Sequence, residues 1–164
     1  DVKYVPSACY AGEDGEKFYQ YTMLEEASRK RFIYAYRETG GYSTCDFVKR
    51  AIIWFGYAPD IIQTDNGGEF THTKKTKRIH PFDSLCAELH ITHKLIRPRT
   101  PWHNGKVERS HRNDQERFYN HLSFYSYEDL QIQMKRYLYR SNNIPMAVLG
   151  WKSPNQKQRE META

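Results

Sequence analysis

The chain has 164 residues, 38% of them hydrophobic and 15% aromatic, enough for one ordinary domain whose core needs no disulfide or metal staple. Three cysteines, Cys9, Cys45 and Cys86, are an odd number at scattered spacings, which argues against a disulfide framework and for a reducing compartment. No segment approaches the length of a membrane span, and a net charge of +5 with a pI near 9 directs attention to anionic partners.

From Asp1 to Tyr10 the residues alternate loosely around Pro6. A polar turn from Ala11 to Glu16 leads into a second run, Lys17 to Leu24, and a third, Arg31 to Arg37, sets Phe32, Tyr34 and Tyr36 against Ile33 and Ala35. These runs predict three antiparallel strands. Ser43 with Asp46 three residues on resembles a capping box, and Phe47, Val48, Ala51, Ile52 and Phe55 share one helical face until Gly56 and Pro59 end it. The run Asp60 to Asp65 predicts a buried strand reached by a crossover, and hence parallel pairing. Phe70 to His80 reads as a basic loop. Pro81 to Leu89 follows as a helix burying Phe82, Leu85, Cys86 and Leu89, and Lys94 to Ile96 as a short strand stopped by Pro98. Cys86 and His90 stand at i, i+4, but no second pair completes a zinc site, so Cys86 is assigned to packing. Asn104 to Tyr119 predicts a helix. A last helix opens at Ser126, with Asp129 behind it, and buries Leu130, Met134, Tyr137 and Leu138. The expected fold is α/β: a five-stranded mixed sheet, three antiparallel and then two parallel strands, flanked by helices. Residues 1–145 form the core and 146–164 an extended, partly disordered tail. Beginning at Asp1 without an initiator methionine, the sequence reads as a fragment.

Basic residues gather at Lys74, Lys75, Lys77 and Arg78, at Lys94, Arg97 and Arg99, and at Lys106, Arg109 and Arg112. Any one run is ordinarily a solvated face, but three runs flanking one acidic residue, Glu108, fit a phosphate backbone. Alone, Glu108 would be an ion-pair partner of Arg112 one turn away. Asp65–Asn66–Gly67 would be a tight turn and Asp1 a solvated end. Taken together they differ. Asp65 closes a strand at the carboxyl edge of a sheet, where ligands gather in α/β folds. Three carboxylates converging from two strands and a helix repel one another unless a cation lies between them. Oxygen-only ligands suit Mg²⁺ or Mn²⁺, and the matching chemistry is phosphodiester cleavage or transfer by two ions roughly 3.5–4 Å apart.

Three stretches carry a resemblance: Asp1-Val-Lys-Tyr-Val5, Gln63-Thr-Asp65-Asn-Gly-Gly-Glu-Phe70, and Arg97-Pro-Arg-Thr-Pro-Trp-His-Asn104-Gly-Lys-Val-Glu108-Arg-Ser-His-Arg112. In order and context they resemble the catalytic core of insertion-sequence transposases and the related retroviral integrases, over nearly the whole chain. The resemblance implies a ribonuclease H-like fold with Asp1, Asp65 and Glu108 as an Asp-Asp-Glu triad holding two Mg²⁺ or Mn²⁺ ions. It implies that water nicks DNA to free a 3′-hydroxyl, which then attacks target DNA with no covalent enzyme intermediate. The implied partners are double-stranded element ends and target DNA, bound by a homo-oligomer in the bacterial cytoplasm at the nucleoid, with no membrane. The interval from Asp65 to Glu108 exceeds the family's usual one, and the surplus is placed at His72–His80, where a surface loop absorbs length cheaply.

On this reading Lys74, Lys75, Lys94, Arg97, Arg99, Lys106, Arg109 and Arg112 contact backbone phosphates. Asn104 either caps the Glu108 helix or touches DNA, and Trp102 either stacks on an unpaired base or packs over its loop. The alternatives are a ribonuclease H-like nuclease that only hydrolyses and an inert DNA-binding module.

Overall fold

The computed structural model describes residues 1–164. Its first half is an antiparallel meander of β1 (Val2–Tyr4), β2 (Tyr19–Leu24) and β3 (Arg31–Tyr36), with Val2 opposite Tyr21 and Tyr19 opposite Tyr36. β1 stops before Pro6, which has no N–H for a ladder, and the chain turns through a 3₁₀ segment, Ser7–Cys9. Both faces of β3 are covered. α1 (Gly41–Phe55) packs Phe47, Val48 and Ala51 against one face. On the other, α4 (Tyr127–Ser141) buries Leu130, Met134, Tyr137 and Leu138, as its spacing predicts. Ser126 caps α4 by accepting from the Asp129 N–H at 3.1 Å.

The capping box expected at Ser43 and Asp46 does not form, because α1 begins two residues earlier at Gly41. Thr44 instead donates to the Gly40 carbonyl at 3.1 Å and to the Glu69 carbonyl at 2.7 Å, while Asp46 accepts from Tyr36 and Arg50. Gly56, at φ 84°, closes the helix in the left-handed region, as the sequence suggests.

β4 (Ile61–Thr64) and β5 (Thr92–Leu95) pair in parallel, separated by the long loop and α2 (Pro81–Glu88). They form a sheet of their own, which corrects the expectation of one five-stranded sheet. The reason lies in β1. Its ladder spans three residues, and Asp1 already spends its N–H and C=O on Thr22, so only Val2 and Tyr4 turn outward. Those two residues have no ladder partner on β4. Consequently β4 is not the buried strand expected: Ile61 and Gln63 are exposed. A cavity of about 750 Å³ lies between the sheets, lined by Leu24 of β2, Phe47 and Ile52 of α1, and Ile62 of β4.

A 3₁₀ turn at Pro101–Asn104 leads into α3 (Gly105–Arg117). Residues 146–164 are not an extended tail: α5 (Pro154–Thr163) opens on a capping box in which Ser153 accepts from the Gln156 N–H and the Gln156 side chain accepts from the Ser153 N–H. Gln158 is buried, accepting from Lys30 at 2.5 Å and donating to Tyr57 at 3.3 Å, so α5 docks on the core. The signal for α5, Ser-Pro-Asn-Gln, was present in the sequence. No helix is long and apolar enough to cross a membrane.

Candidate active site

Asp1 is fixed through its backbone. Its N–H group and carbonyl pair with Thr22 at 2.9 Å each way, which directs the carboxylate towards α3. There the Nδ1 of His111 lies 3.6 Å from its Oδ2, and both side chains are largely buried. Burial pushes the His111 imidazole down to about 4.

Asp65 follows β4 directly, and its Oδ1 accepts from the Gly67 N–H at 2.9 Å, the turn that Asp-Asn-Gly favours. A Cβ at Gly67 would lie 2.7 Å from the Glu69 carboxylate, which folds back over this turn. Beneath the turn, the buried Thr64 hydroxyl meets His93 Nε2 at 2.8 Å, and His93 Nδ1 meets Asp83 at 2.6 Å. That chain ties the end of β4 to β5 and α2. Phe70 is buried and packs edge-on to Phe82 and Tyr21, anchoring the far end of the turn.

Glu108 lies in the first turn of α3, where the helix dipole favours a negative charge. It is exposed and makes no ion pair; Arg112 pairs instead with Glu116 at 3.1 Å. The partnership that would have explained Glu108 as surface chemistry is therefore absent. Gln63 of β4 donates to the His103 carbonyl at 2.9 Å and to Asn104 Oδ1 at 3.4 Å, linking the Asp65 strand to the start of the Glu108 helix. Asn104 does not cap α3 with its side chain, because its oxygen is taken by Gln63.

The three carboxylates thus sit on elements joined pairwise: β1 to α3 through His111, and β4 to α3 through Gln63. No three carboxylate, imidazole or thiol side chains are gathered within reach of one metal ion. The fit to a hard divalent cation is therefore one of donor chemistry. The candidate ligands are all oxygens, and neither Asp65 nor Glu108 is neutralised by a lysine or arginine. Carboxylates with no cation between them are expected to stand apart.

Lys74, Lys75, Lys94, Arg97, Arg99 and Arg109 are exposed and form no ion pair. Lys106 is paired with Glu26 and Arg112 with Glu116. Both pairs are solvent-exposed, worth at most about 1 kcal/mol, and so exchange readily for a phosphate. Trp102 is 69% exposed and free to stack. The residues that sequence reasoning did not single out are His111, Gln63, Thr64 and His93. His111 alone carried a signal, its place one turn beyond Glu108; the others meet only through tertiary pairing.

The fold is similar to that of solved retroviral integrase catalytic core domains. A chain of the simian T-cell lymphotropic virus intasome in complex with PP2A regulatory subunit B56 gamma superposes with a TM-score of 0.69 at 17% identity, covering 95% of this chain and 51% of that one. The HTLV-2 integrase catalytic core domain in complex with magnesium gives 0.67 at 18% identity, over 95% of this chain and 90% of that one. The catalytic core domain of BIV integrase gives 0.67 at 21% identity, over 90% and 89%.

Two models of the integrase core domain match the sequence, one over residues 1–101 and the other over 89–154. The chain belongs to the integrase core domain family. A protein of Spiroplasma virus SpV1-C74 described as "Putative integrase ORF3" is 29% identical over an alignment of 155 residues that covers 87% of this chain. The chain spans 41% of that protein's length.

Proposed function

We propose that this domain is the catalytic core of a DNA transposase or integrase, which cleaves 3′ ends of double-stranded DNA and joins them to target DNA. The observation that carries the reading is Glu108: a carboxylate at a helix start, unpaired among basic side chains, on an element tied to both Asp1 and Asp65. Asp1, Asp65 and Glu108 would hold two Mg²⁺ or Mn²⁺ ions, which when bound activate the attacking oxygen and steady the leaving one. The protein's own part is placement. The Gly67 N–H holds one Asp65 oxygen, leaving the other to face the site. Gln63 keeps the Glu108 helix in register with β4. Lys94, Arg97, Arg99 and Arg109, with Lys106 and Arg112 after release from Glu26 and Glu116, seat the DNA backbone, while the loop bearing Lys74 and Lys75 extends that basic rim. Synapsis of two DNA ends calls for a homo-oligomer on DNA.

The test is Glu108→Gln in the intact protein, assayed on labelled duplex ends with Mg²⁺. Cleavage and joining should fall by several orders of magnitude while DNA binding stays within a few-fold. Near-wild-type cleavage by this variant would refute the assignment.

A further inference from the structure

Two side-chain amides at the end of β4 reach the same segment of chain from opposite sides. Asn66, just past the strand, donates from Nδ2 to the Ile96 carbonyl at 3.1 Å, and Gln63 donates from Nε2 to the His103 carbonyl at 2.9 Å. A carbonyl only accepts, so each amide must present its NH₂ there. The Ile96 N–H is itself held by the Thr64 carbonyl at 3.0 Å. Residues 97–102, which carry Arg97, Arg99 and Trp102, are thus tied to β4 at both entrance and exit.

Between the ties the loop is folded on itself. The Arg97 carbonyl accepts from the Thr100 N–H at 3.2 Å and from the Thr100 hydroxyl. This closes a four-residue turn with Pro98 second and Arg99 third, at φ 60°, a position that ordinarily takes glycine. The His103 N–H then bonds the Thr100 carbonyl at 3.1 Å, and Pro101 fixes φ between them. An arginine in the left-handed region is strained, and such strain persists only where the surroundings over-determine it. Arg99 and Trp102 are nevertheless exposed, and Arg99 has no ion-pair partner. The ties and the turn therefore secure the direction of outward side chains, not a core contact.

We propose that Gln63 and Asn66 are positioning residues that keep the 97–102 loop ordered before DNA arrives, so that Arg97, Arg99 and Trp102 meet the duplex from a frame fixed to the strand that ends at Asp65. The inference rests on reading this loop as part of the DNA seat. A loop ordered in the free protein loses little conformational entropy on binding. Freed of its ties, it is binding-competent only part of the time, and the apparent affinity falls by that fraction. The phosphates neutralised in the complex stay the same, so the salt dependence does not change. Loss of a phosphate contact does the opposite and lowers the slope.

Both residues are exposed and neither has a positive φ, so Gln63→Met and Asn66→Ala cut the ties without opening the core. The intact protein is labelled with 5-fluorotryptophan, the Trp102 line is assigned by Trp102→Phe, and its ¹⁹F relaxation is compared with duplex DNA affinity across a salt series. The double variant should melt with the wild type and show a mobile Trp102 beside unchanged Trp54 and Trp151. It should bind roughly 10-fold more weakly at every salt concentration, with the wild-type slope. Asn66→Ala alone, which leaves α3 tied, should give the same signature in smaller size. Arg99→Gly, which suits the turn but lacks the guanidinium, should keep Trp102 ordered and lower the slope by about 0.9. An ordered Trp102 in the double variant, or a mobile one with wild-type affinity, would overturn the proposal. An unchanged slope in Arg99→Gly would instead overturn the placing of this loop on DNA, and the positioning role with it, even if the double variant freed Trp102.

Discussion

Replacing Asp114 by Asn would remove one charge from the best-buried ion pair in the molecule, with side chains 0% exposed at Asp114 and 5% at Arg31. The carboxylate accepts four hydrogen bonds, two on each oxygen. An Asn amide can accept on one side only. Its NH₂ would face either Gln20 and Arg31 or Arg31 and Tyr137, donor against donor, and leave a buried guanidinium uncompensated. Breaking such a pair from one side costs about 3–5 kcal/mol, a large part of the roughly 5–15 kcal/mol that stabilises a typical domain. For a domain of this size, at about 2–4 °C per kcal/mol, Tm should fall by roughly 6–20 °C. Urea unfolding gives the free energy directly, and the double variant Arg31→Met, Asp114→Leu should recover most of the loss. The pH dependence carries a second signature. Burial pushes the Asp114 carboxyl up, but the hydrogen bonds and charge of Arg31 outweigh it and hold it below its ordinary 3.8. A carboxylate depressed in the folded state contributes stability that is full above its unfolded pKa and lost as pH falls through the folded one. The wild type should therefore lose stability below about pH 4, and Asp114→Asn should lack that component. A loss smaller than about 1 kcal/mol, the level of an exposed pair, would show that the network does not hold the fold.

Thr64→Val, which keeps shape but cuts the link to His93, should cost about 1–3 kcal/mol by urea unfolding, since it leaves a largely buried imidazole nitrogen unpaired. Phe124, fully buried against Tyr10 and Phe18, should lose about 3–5 kcal/mol on change to Ala; a loss under 1 kcal/mol would mean the site collapses freely. Ser153→Ala removes the α5 cap and should cost about 0.5–2 kcal/mol, with faster amide exchange confined to α5. Changing Arg97 and Arg109 to Gln should reduce the slope of log K against log salt for duplex DNA by about 0.9 for each phosphate no longer neutralised, and an unchanged slope would remove them from the interface.

Much of this structure was legible from periodicity and end signals. Ser126 with Asp129 located α4, and the spacing of Leu130, Met134, Tyr137 and Leu138 gave its buried face. Gly56 marked the end of α1 because the chain closes the helix there at a positive φ, which glycine adopts without strain. What failed was information that sequence spacing does not hold. Whether β1 pairs with β4 depends on how many residues of β1 turn outward, which is settled by the register with β2. Ser43 caps nothing because α1 already begins at Gly41, and the Thr44 hydroxyl is taken by the Glu69 carbonyl, brought in from far along the chain. The three acidic residues were found by motif, whereas the groups around them, His93 on Thr64 and His111 on Asp1, arise from contacts across 29 and 110 positions.

The divided sheet also sets how the molecule breathes. Stability within a protein is graded, and units that share no ladder can open separately. β2 and β3 are almost wholly covered, so their amides should exchange only near the limit of global unfolding, whereas β4 and β5, largely open to solvent, can detach at lower cost. Asp1 is thus mounted on the stiff plate and Asp65 on the soft one. Whatever bridges the two carboxylates joins a slow-exchanging unit to a fast one, and its arrival should be recorded as new protection along β4, a strand it meets only through the residue that follows it.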